Sequence, residues 1–195
     1  TTSIAVSCPA SEAPLGTPRS LALLGGGSYI DIGATRTHAA TGDFAGLTIE
    51  AWVFFDQIGN WSRIVHLFQV AGQDDLIFCR EGKTSNLYFA ICKAGVAKWL
   101  SVPGVIRNGQ WMHVAATLDA SGVAQVYVDG KTKPEWSAQL HIPEDKTRST
   151  GYVGKSWNSG DSNFVGQLCE VRLWNVQRSA AEIARMMSGR LTGTE

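Results

Sequence analysis

The chain has 195 residues, 44% of them hydrophobic, and carries 17 Lys and Arg against 17 Asp and Glu, a size and composition that suit one globular domain with its own core. With no net charge it has no field to gather nucleic acid or an anionic membrane surface, so partners of that kind are not expected. No apolar run is long enough to span a bilayer, and the opening TTSIAVSCPAS lacks the basic start and long apolar centre of a secretory leader.

Residues 1–20 hold Pro9, Pro14 and Pro18 among small residues and show no sustained period, which predicts a lead-in segment followed by a single domain over 21–195. Residues 21–24 and 28–32 read as short strands on either side of Gly25, Gly26 and Gly27. In LTIEAWVFF (47–55), Leu47, Ile49, Ala51 and Val53 alternate with Thr48, Glu50, Trp52 and Phe54. Both faces are partly apolar, as in a central strand. Further strands are expected at 63–70, 75–80, 86–92 and 96–102, separated by Gly, Asn, Ser and Lys clusters.

The clearest period lies in GQWMHVAATLDASGVAQVYVDGK (109–131). Met112, Val114, Ala116 and Leu118 alternate with Trp111, His113, Ala115 and Thr117, and Ala124, Val126 and Val128 with Gln125, Tyr127 and Asp129, the period of a strand with one dry face. Residues 119–122 and the pair Asp129-Gly130 supply residues that tolerate tight turns with positive φ. Residues 131–148, with two prolines, are expected to wrap a sheet edge without regular structure. Closing strands follow at 151–155 and 164–175. Ser179 with Glu182 then forms a capping box ahead of Ile183, Met186 and Met187, which predicts one short helix. Closely spaced strands with glycine turns, and no alternation with helices, indicate an all-β antiparallel sandwich.

Cys8, Cys79, Cys92 and Cys169 have no CxxC spacing, so a zinc site is disfavoured. Four buried thiols and two disulfides both remain open. If disulfides form, the expected pairs are Cys79 with Cys92 and Cys8 with Cys169.

The opening LLGGGSYIDIG, the strand LTIEAWVFF, the phrase 109–131, and YVGKS followed by FVGQLCEVRLWNVQRSAAEIARM together resemble the laminin G-like, pentraxin-related branch of the concanavalin A-like jelly-roll superfamily. The resemblance implies a two-sheet antiparallel jelly roll in which the 111–128 hairpin is central and the last strand pairs near the first. It also implies functions ranging over lectins, carbohydrate-binding modules, adhesion modules and some glycosidases, and it favours an extracellular setting. Relatives often carry, before the Glu-Val-Arg of the closing strand, an aspartate that contributes to a calcium site. Here Cys169 stands there, a poor ligand for a hard cation. Asp74 with Asp75, and Asp161, remain loop carboxylates that could hold calcium.

Glycoside hydrolysis needs two carboxylates facing across a bond, whereas Glu50 is a lone acid on its strand. The histidines are scattered, with no nucleophile motif beside them, and catalysis is not expected. A sugar site instead needs an aromatic platform ringed by amides and carboxylates. Trp52, Trp111 and Trp174 lie in patterned strands and are assigned to core packing, while Trp61, Trp99, Trp136 and Trp157 lie in or beside loops. Asn158, Asp161 and Asn163 follow Trp157 in one glycine-bearing loop. The candidate carbohydrate site is therefore Trp157, Asn158, Asp161, Asn163, Trp61 and Asp74, with a Trp157 that folds back over the sandwich as the competing account. Function is read as a non-catalytic lectin-like module. The alternative is a protein-recognition, adhesion or assembly module, with a partner protein or a homo-oligomer as its target.

Overall fold

The computed structural model describes residues 21–25, 27–37, 43–145 and 147–189. In chain order its strands are β1 (Leu21–Leu24), β2 (Ile30–Asp31), β3 (Thr35–Arg36), β4 (Leu47–Phe55), β5 (Arg63–Phe68), β6 (Leu76–Arg80) and β7 (Leu87–Lys93). There follow β8 (Val96–Val102), β9 (Trp111–Leu118), β10 (Val123–Val128), β11 (Ser137–Gln139), β12 (Thr147–Arg148), β13 (Thr150–Val153) and β14 (Val165–Trp174), then helix α1 (Ala180–Met186). Two six-stranded antiparallel sheets form, in the orders β1-β14-β4-β9-β10-β11 and β2-β13-β5-β6-β7-β8, with a small β12-β3 ribbon beside them. The 111–128 hairpin is central in the first sheet, and the last strand pairs with the first. Among the described residues no helix is long and apolar enough to cross a membrane.

Alternation explains the layering. Ile49, Ala51, Val53 and Phe55 of β4 and Met112, Val114, Ala116 and Leu118 of β9 point inward, where they meet Phe78, Phe89, Ile91 and Leu100 of the second sheet in one buried cluster. The hairpin turn places Asp129 at φ 50° and Gly130 at φ 72°, closed by reciprocal Val128–Lys131 backbone bonds, as the Asp-Gly pair predicts. Residues 131–148 are more regular than expected. They contain β11, which extends the edge of the first sheet beside β10, and β12.

The outward face of the first sheet is closed by α1. Ser179 accepts from the Glu182 N–H and Glu182 reaches back to the Ser179 N–H, completing the capping box. Ile183 packs on Ala115 and Tyr127, the small Ala115 leaving room for the helix. A one-residue bulge in β14, where Glu170 adopts φ 50°, turns both Cys169 and Arg172 to this face. Arg172 donates to Met186 O at 2.9 Å and to Gly189 O, and Trp52 Nε1 donates to Met187 O at 2.7 Å, so carbonyls at and just beyond the helix end find partners on the sheet. Trp52 and Trp111 pack against Cys169, and Trp174 Nε1 donates to Glu50 at 3.0 Å. These three indoles do pack, on the outer face of the first sheet and apart from the main core.

The cysteine pairing expected between Cys79 and Cys92 does not form, and both are free and buried. Cys79 lies opposite Tyr88, four residues along β7 from Cys92, a separation of ~13 Å at strand rise, beyond disulfide reach. Cys169 is disulfide-bonded. Cys8, like the rest of the 1–20 lead-in, lies outside the described residues.

Glu50 is buried 3.4 Å from His113 Nε2 and 3.5 Å from Arg172. Burial pushes its carboxyl upward, but His113, Trp174 and Arg172 together hold it below the ordinary value of 4.5. A depressed carboxyl contributes stability that is present above its unfolded-state value and is lost as pH falls through the folded-state value. Glu50→Gln should therefore lower the melting temperature at pH 7 and flatten the acid limb below pH ~4.5, as followed by thermal melts across pH.

Candidate functional site

Among the described residues no helix covers the outward face of the second sheet, and cross-strand register arranges its side chains in rows. Tyr152, His66, Ile77, Ala90 and Trp99 are successive partners across β13, β5, β6, β7 and β8, and Arg63, Cys79, Tyr88 and Ser101 form the row beside them. Trp61 meets Tyr88 edge-on at 5.1 Å, and Tyr88 stacks on Trp99 at 6.5 Å and 24°, an aromatic run from the loop before β5 across β7 to β8. Beside it lies a cleft of about 220 Å³ lined by Trp61, Arg63, Ile77, Tyr88, Asn158 and Asp161.

The 156–163 loop forms the other wall and is tied down along its length. Asp161 Oδ2 pairs with Arg63 at 2.7 Å, both groups being nearly buried. Ser162 N donates to Asn60 O at 2.7 Å, and Asn60 N donates to Ser162 Oγ at 3.0 Å. Within the loop, Gly160 N donates to Asn158 Oδ1 at 3.0 Å. Arg63 also donates to Trp61 O at 2.8 Å and lies 5.8 Å from the Trp61 ring. These contacts hold Trp61 at φ 54°, a conformation a bulky residue adopts only when its surroundings impose it.

Four of the six residues expected from sequence converge here. Trp61, Asn158 and Asp161 line the cleft, and Trp157 stands in the same loop, 44% exposed, with its Nε1 donating to Asp75 Oδ2 at 3.1 Å and its ring over Gly72. Trp157 is thus both displayed and anchored. Asn163 is half-buried at the base of the loop and does not line the cleft. Asp74 is buried, its carboxylate accepting the Gln69 and Val70 N–H groups and its carbonyl accepting from Arg148, which shapes the 69–75 turn beneath Trp157. Tyr88 and Arg63 also line the cleft, and Trp99 stacks on Tyr88, three residues not among those expected from sequence. The signal for Tyr88 was present, since Leu87, Phe89 and Ile91 alternate inward and leave it outward.

Burial, together with nearby Cys79 and Glu81, pushes the Tyr88 phenol up to about 12, so near neutrality it is a neutral hydroxyl. Burial likewise drives the Cys79 thiol up to about 12, which makes it inert. Below Trp157, His66 is fully buried with Asp75 Oδ1 3.8 Å away. Burial holds its imidazole below the ordinary 6.5, outweighing the upward pull of Asp75.

The carboxylates considered for calcium do not fit a hard cation. Asp161 is committed to Arg63 and Asp74 to backbone N–H groups, while Asp75 accepts from Gly72 N and Trp157. At the family position, Cys169 is disulfide-bonded and Glu170 is paired with Arg172 at 2.9 Å. Among the described residues no group of three or more His, Cys, Asp or Glu could hold a metal. A larger groove of about 870 Å³ runs between the 103–107 and 131–136 segments. Of its three cations, Arg107 pairs with Asp129 at 2.5 Å and Lys133 with Glu135 at 4.0 Å, Lys131 being the third, and Lys133 lies over the Trp136 ring. It presents no open aromatic platform.

Because the folded-state His66 binds its proton less readily than the unfolded chain does, stability should fall as pH drops below about 6.5. His66→Phe should remove that dependence between pH 6.5 and 5, measured by denaturant titration at each pH.

A family model described as Laminin_G_3, concanavalin A-like lectin/glucanases superfamily, matches residues 24–184. Domain 4 of AbnA, an extracellular GH43 arabinanase from Geobacillus stearothermophilus solved with arabinotriose, superposes with a TM-score of 0.68 at 16% identity, covering 94% of this chain and 81% of that one. A heptameric SAP-like pentraxin from Limulus polyphemus superposes with a TM-score of 0.58 at 16% identity, over 81% of this chain and 72% of that one. A Bacteroides ovatus protein provisionally assigned as carbohydrate-binding gives a TM-score of 0.62 at 21% identity, over 91% of this chain and 51% of that one. The chain therefore spans about half the length of the Bacteroides protein. Identities this low speak to the fold. No curated protein sequence matches the chain. With the family model spanning nearly all of the two sheets and α1, the chain belongs to the Laminin_G_3 family of the concanavalin A-like lectin/glucanase superfamily.

Proposed function

We propose that the domain is a non-catalytic carbohydrate-binding module that takes a glycan on the outward face of its second sheet. The observation that carries this reading is the pair of displayed indoles, Trp99 at 56% and Trp157 at 44% exposure, beside a cleft floored by Trp61 and Tyr88 and edged by Asn158. The C–H face of a pyranose stacks on such rings, while amide and phenol groups meet its hydroxyls. In this reading Trp99 and Trp157 are platforms, Trp61 and Tyr88 the floor, and Asn158 the amide that fixes orientation. Asp161 and Asp74 act by holding the loop and the turn, and Asn163 shapes the loop base. The cleft lining contains one carboxylate, Asp161, already paired with Arg63, whereas glycosidases use two. Two of the similar structures, the arabinanase domain solved with arabinotriose and the Bacteroides protein, make sugar the first ligand class to test. The disulfide at Cys169 suits an oxidising setting such as the cell exterior.

A protein-recognition role has one observation in its favour. β8 is an edge strand, and its Val96 and Trp99 are 60% and 56% exposed, features that can pair with a second chain. Light scattering separates the readings, since a monomer that binds glycan removes the need for assembly.

A glycan array followed by calorimetric titration of the hits tests the proposal. Trp99→Ala and Trp157→Ala should each weaken binding by about tenfold or more. Trp99→Ala should also leave folding stability within about 0.5 kcal/mol, as expected of a surface change. A well-folded protein that binds no glycan, or variants that bind as tightly as the parent, would sink the proposal.

A further inference from the structure

Beyond Trp157, aromatic contacts continue toward the opposite edge of the same sheet face. His66 meets Phe68 at 5.0 Å, Phe68 meets Tyr152 at 5.7 Å, and Tyr152 meets Tyr29 edge-on at 5.2 Å. At this end the Lys155 ammonium sits 3.9 Å from the Tyr29 ring centroid and 5.0 Å from that of Tyr152. Lys155 is also the residue that leads into the 156–163 loop, so it is fixed to the same wall as Trp157 and Asn158.

We propose that Lys155, held over Tyr29 and Tyr152, is an anion subsite of the glycan-binding face, and that the ligand is an extended oligosaccharide bearing a carboxylate or sulfate. The inference rests on the carbohydrate-binding reading and adds the ligand's charge and length.

Three observations carry it. First, the lysine is fixed by ring faces, which attract its charge but accept no directional hydrogen bond, so its N–H donors remain for an incoming anion. Second, it has no ion-pair partner among the described residues. The carboxylate on this edge, Asp31, turns its Oδ1 onto the Gly33 N–H at 2.8 Å. This differs from Lys133 in the larger groove, which has Glu135 beside it. Third, the subsite lies on the face that displays the indoles. From β13 to β8 there are four strand spacings in the sheet order, ~19 Å, a span that a chain of several sugars crosses and a monosaccharide does not. An ammonium already held in place costs less side-chain ordering on binding than a free lysine would. One cation makes one anionic contact, in keeping with a chain of zero net charge, and binding should weaken only modestly with salt.

The test uses an array holding neutral and acidic oligosaccharides, then calorimetry on the hits with the parent, Lys155→Met and Lys155→Arg proteins, each checked by thermal melt. Lys155→Met keeps most of the stem against the rings and removes the charge. Hits should carry a carboxylate or sulfate. Lys155→Met should bind them about tenfold more weakly, Lys155→Arg should restore most of the affinity, and the same oligosaccharide without its anionic group should bind the parent and Lys155→Met alike. If neutral glycans bind as tightly as acidic ones, or Lys155→Met holds an acidic glycan as tightly as the parent does, the anion subsite is overturned while the carbohydrate-binding reading stands. If no glycan of either kind binds the folded parent, both fall. Should Lys155→Met melt early, Lys155→Gln replaces it, with the same two outcomes.

Discussion

Arg172, brought to the outer face of the first sheet by the β14 bulge, faces Glu50 at 3.5 Å, pairs with Glu170 at 2.9 Å and donates to the last carbonyls of the α1 region. A guanidinium this deeply buried needs each of those acceptors, because taking it from water is compensated only by close and well-placed partners. The helix it holds seats Ile183 on Ala115 and Tyr127 and closes one of the two outer faces of the sandwich. Among the described residues no helix packs on the other face, the one to which recognition is assigned in the proposed function. An unadorned sandwich would have two equivalent outer surfaces, and here one buried polar cluster distinguishes them.

On the open face, rigidity comes from charge and backbone hydrogen bonds. Arg63 binds Asp161, the carbonyl of Trp61 and the face of its ring, joining the 156–163 loop to the start of β5. Asp75 accepts from Gly72 N and from the Trp157 indole while lying beside His66, joining the same loop to the start of β6. Exposed aromatic rings on a fixed scaffold lose little conformational freedom when a ligand stacks on them, and that favours affinity without large buried area. The buried His66, whose imidazole burial holds below its ordinary value, and the inert Cys79 belong to this scaffold.

Sequence periodicity reached the layers because alternation with period two depends only on neighbours along the chain. The inward sets of β4 and β9, the Asp129-Gly130 turn and the Ser179–Glu182 capping box are all local features, and all stand where the pattern placed them. Trp157, Asn158 and Asp161 were legible as one loop for the same reason, and Trp61 as a loop indole. Tyr88, Trp99 and Arg63 were not assembled with them. Their proximity depends on which residue of β6, β7 and β8 stands opposite which, a register that spacing does not reveal. Register also separates Cys79 from Cys92. The bulge that gives Glu170 a φ of 50° breaks the alternation of β14, so that Arg172 turns outward beside Glu50 where a strict period would have put Val171.

By itself, then, the chain determined the strands, the turn chemistry and the short helix, all of which rest on short-range backbone preferences and side-chain alternation. Only the tertiary structure decided which outer face α1 would cover, that Asp74 lies buried and structural, that Asp161 is spent on Arg63, and that Lys155 sits over two tyrosines. Those outcomes depend on contacts between residues tens of positions apart, and such contacts exist only once the two sheets have closed on a common core.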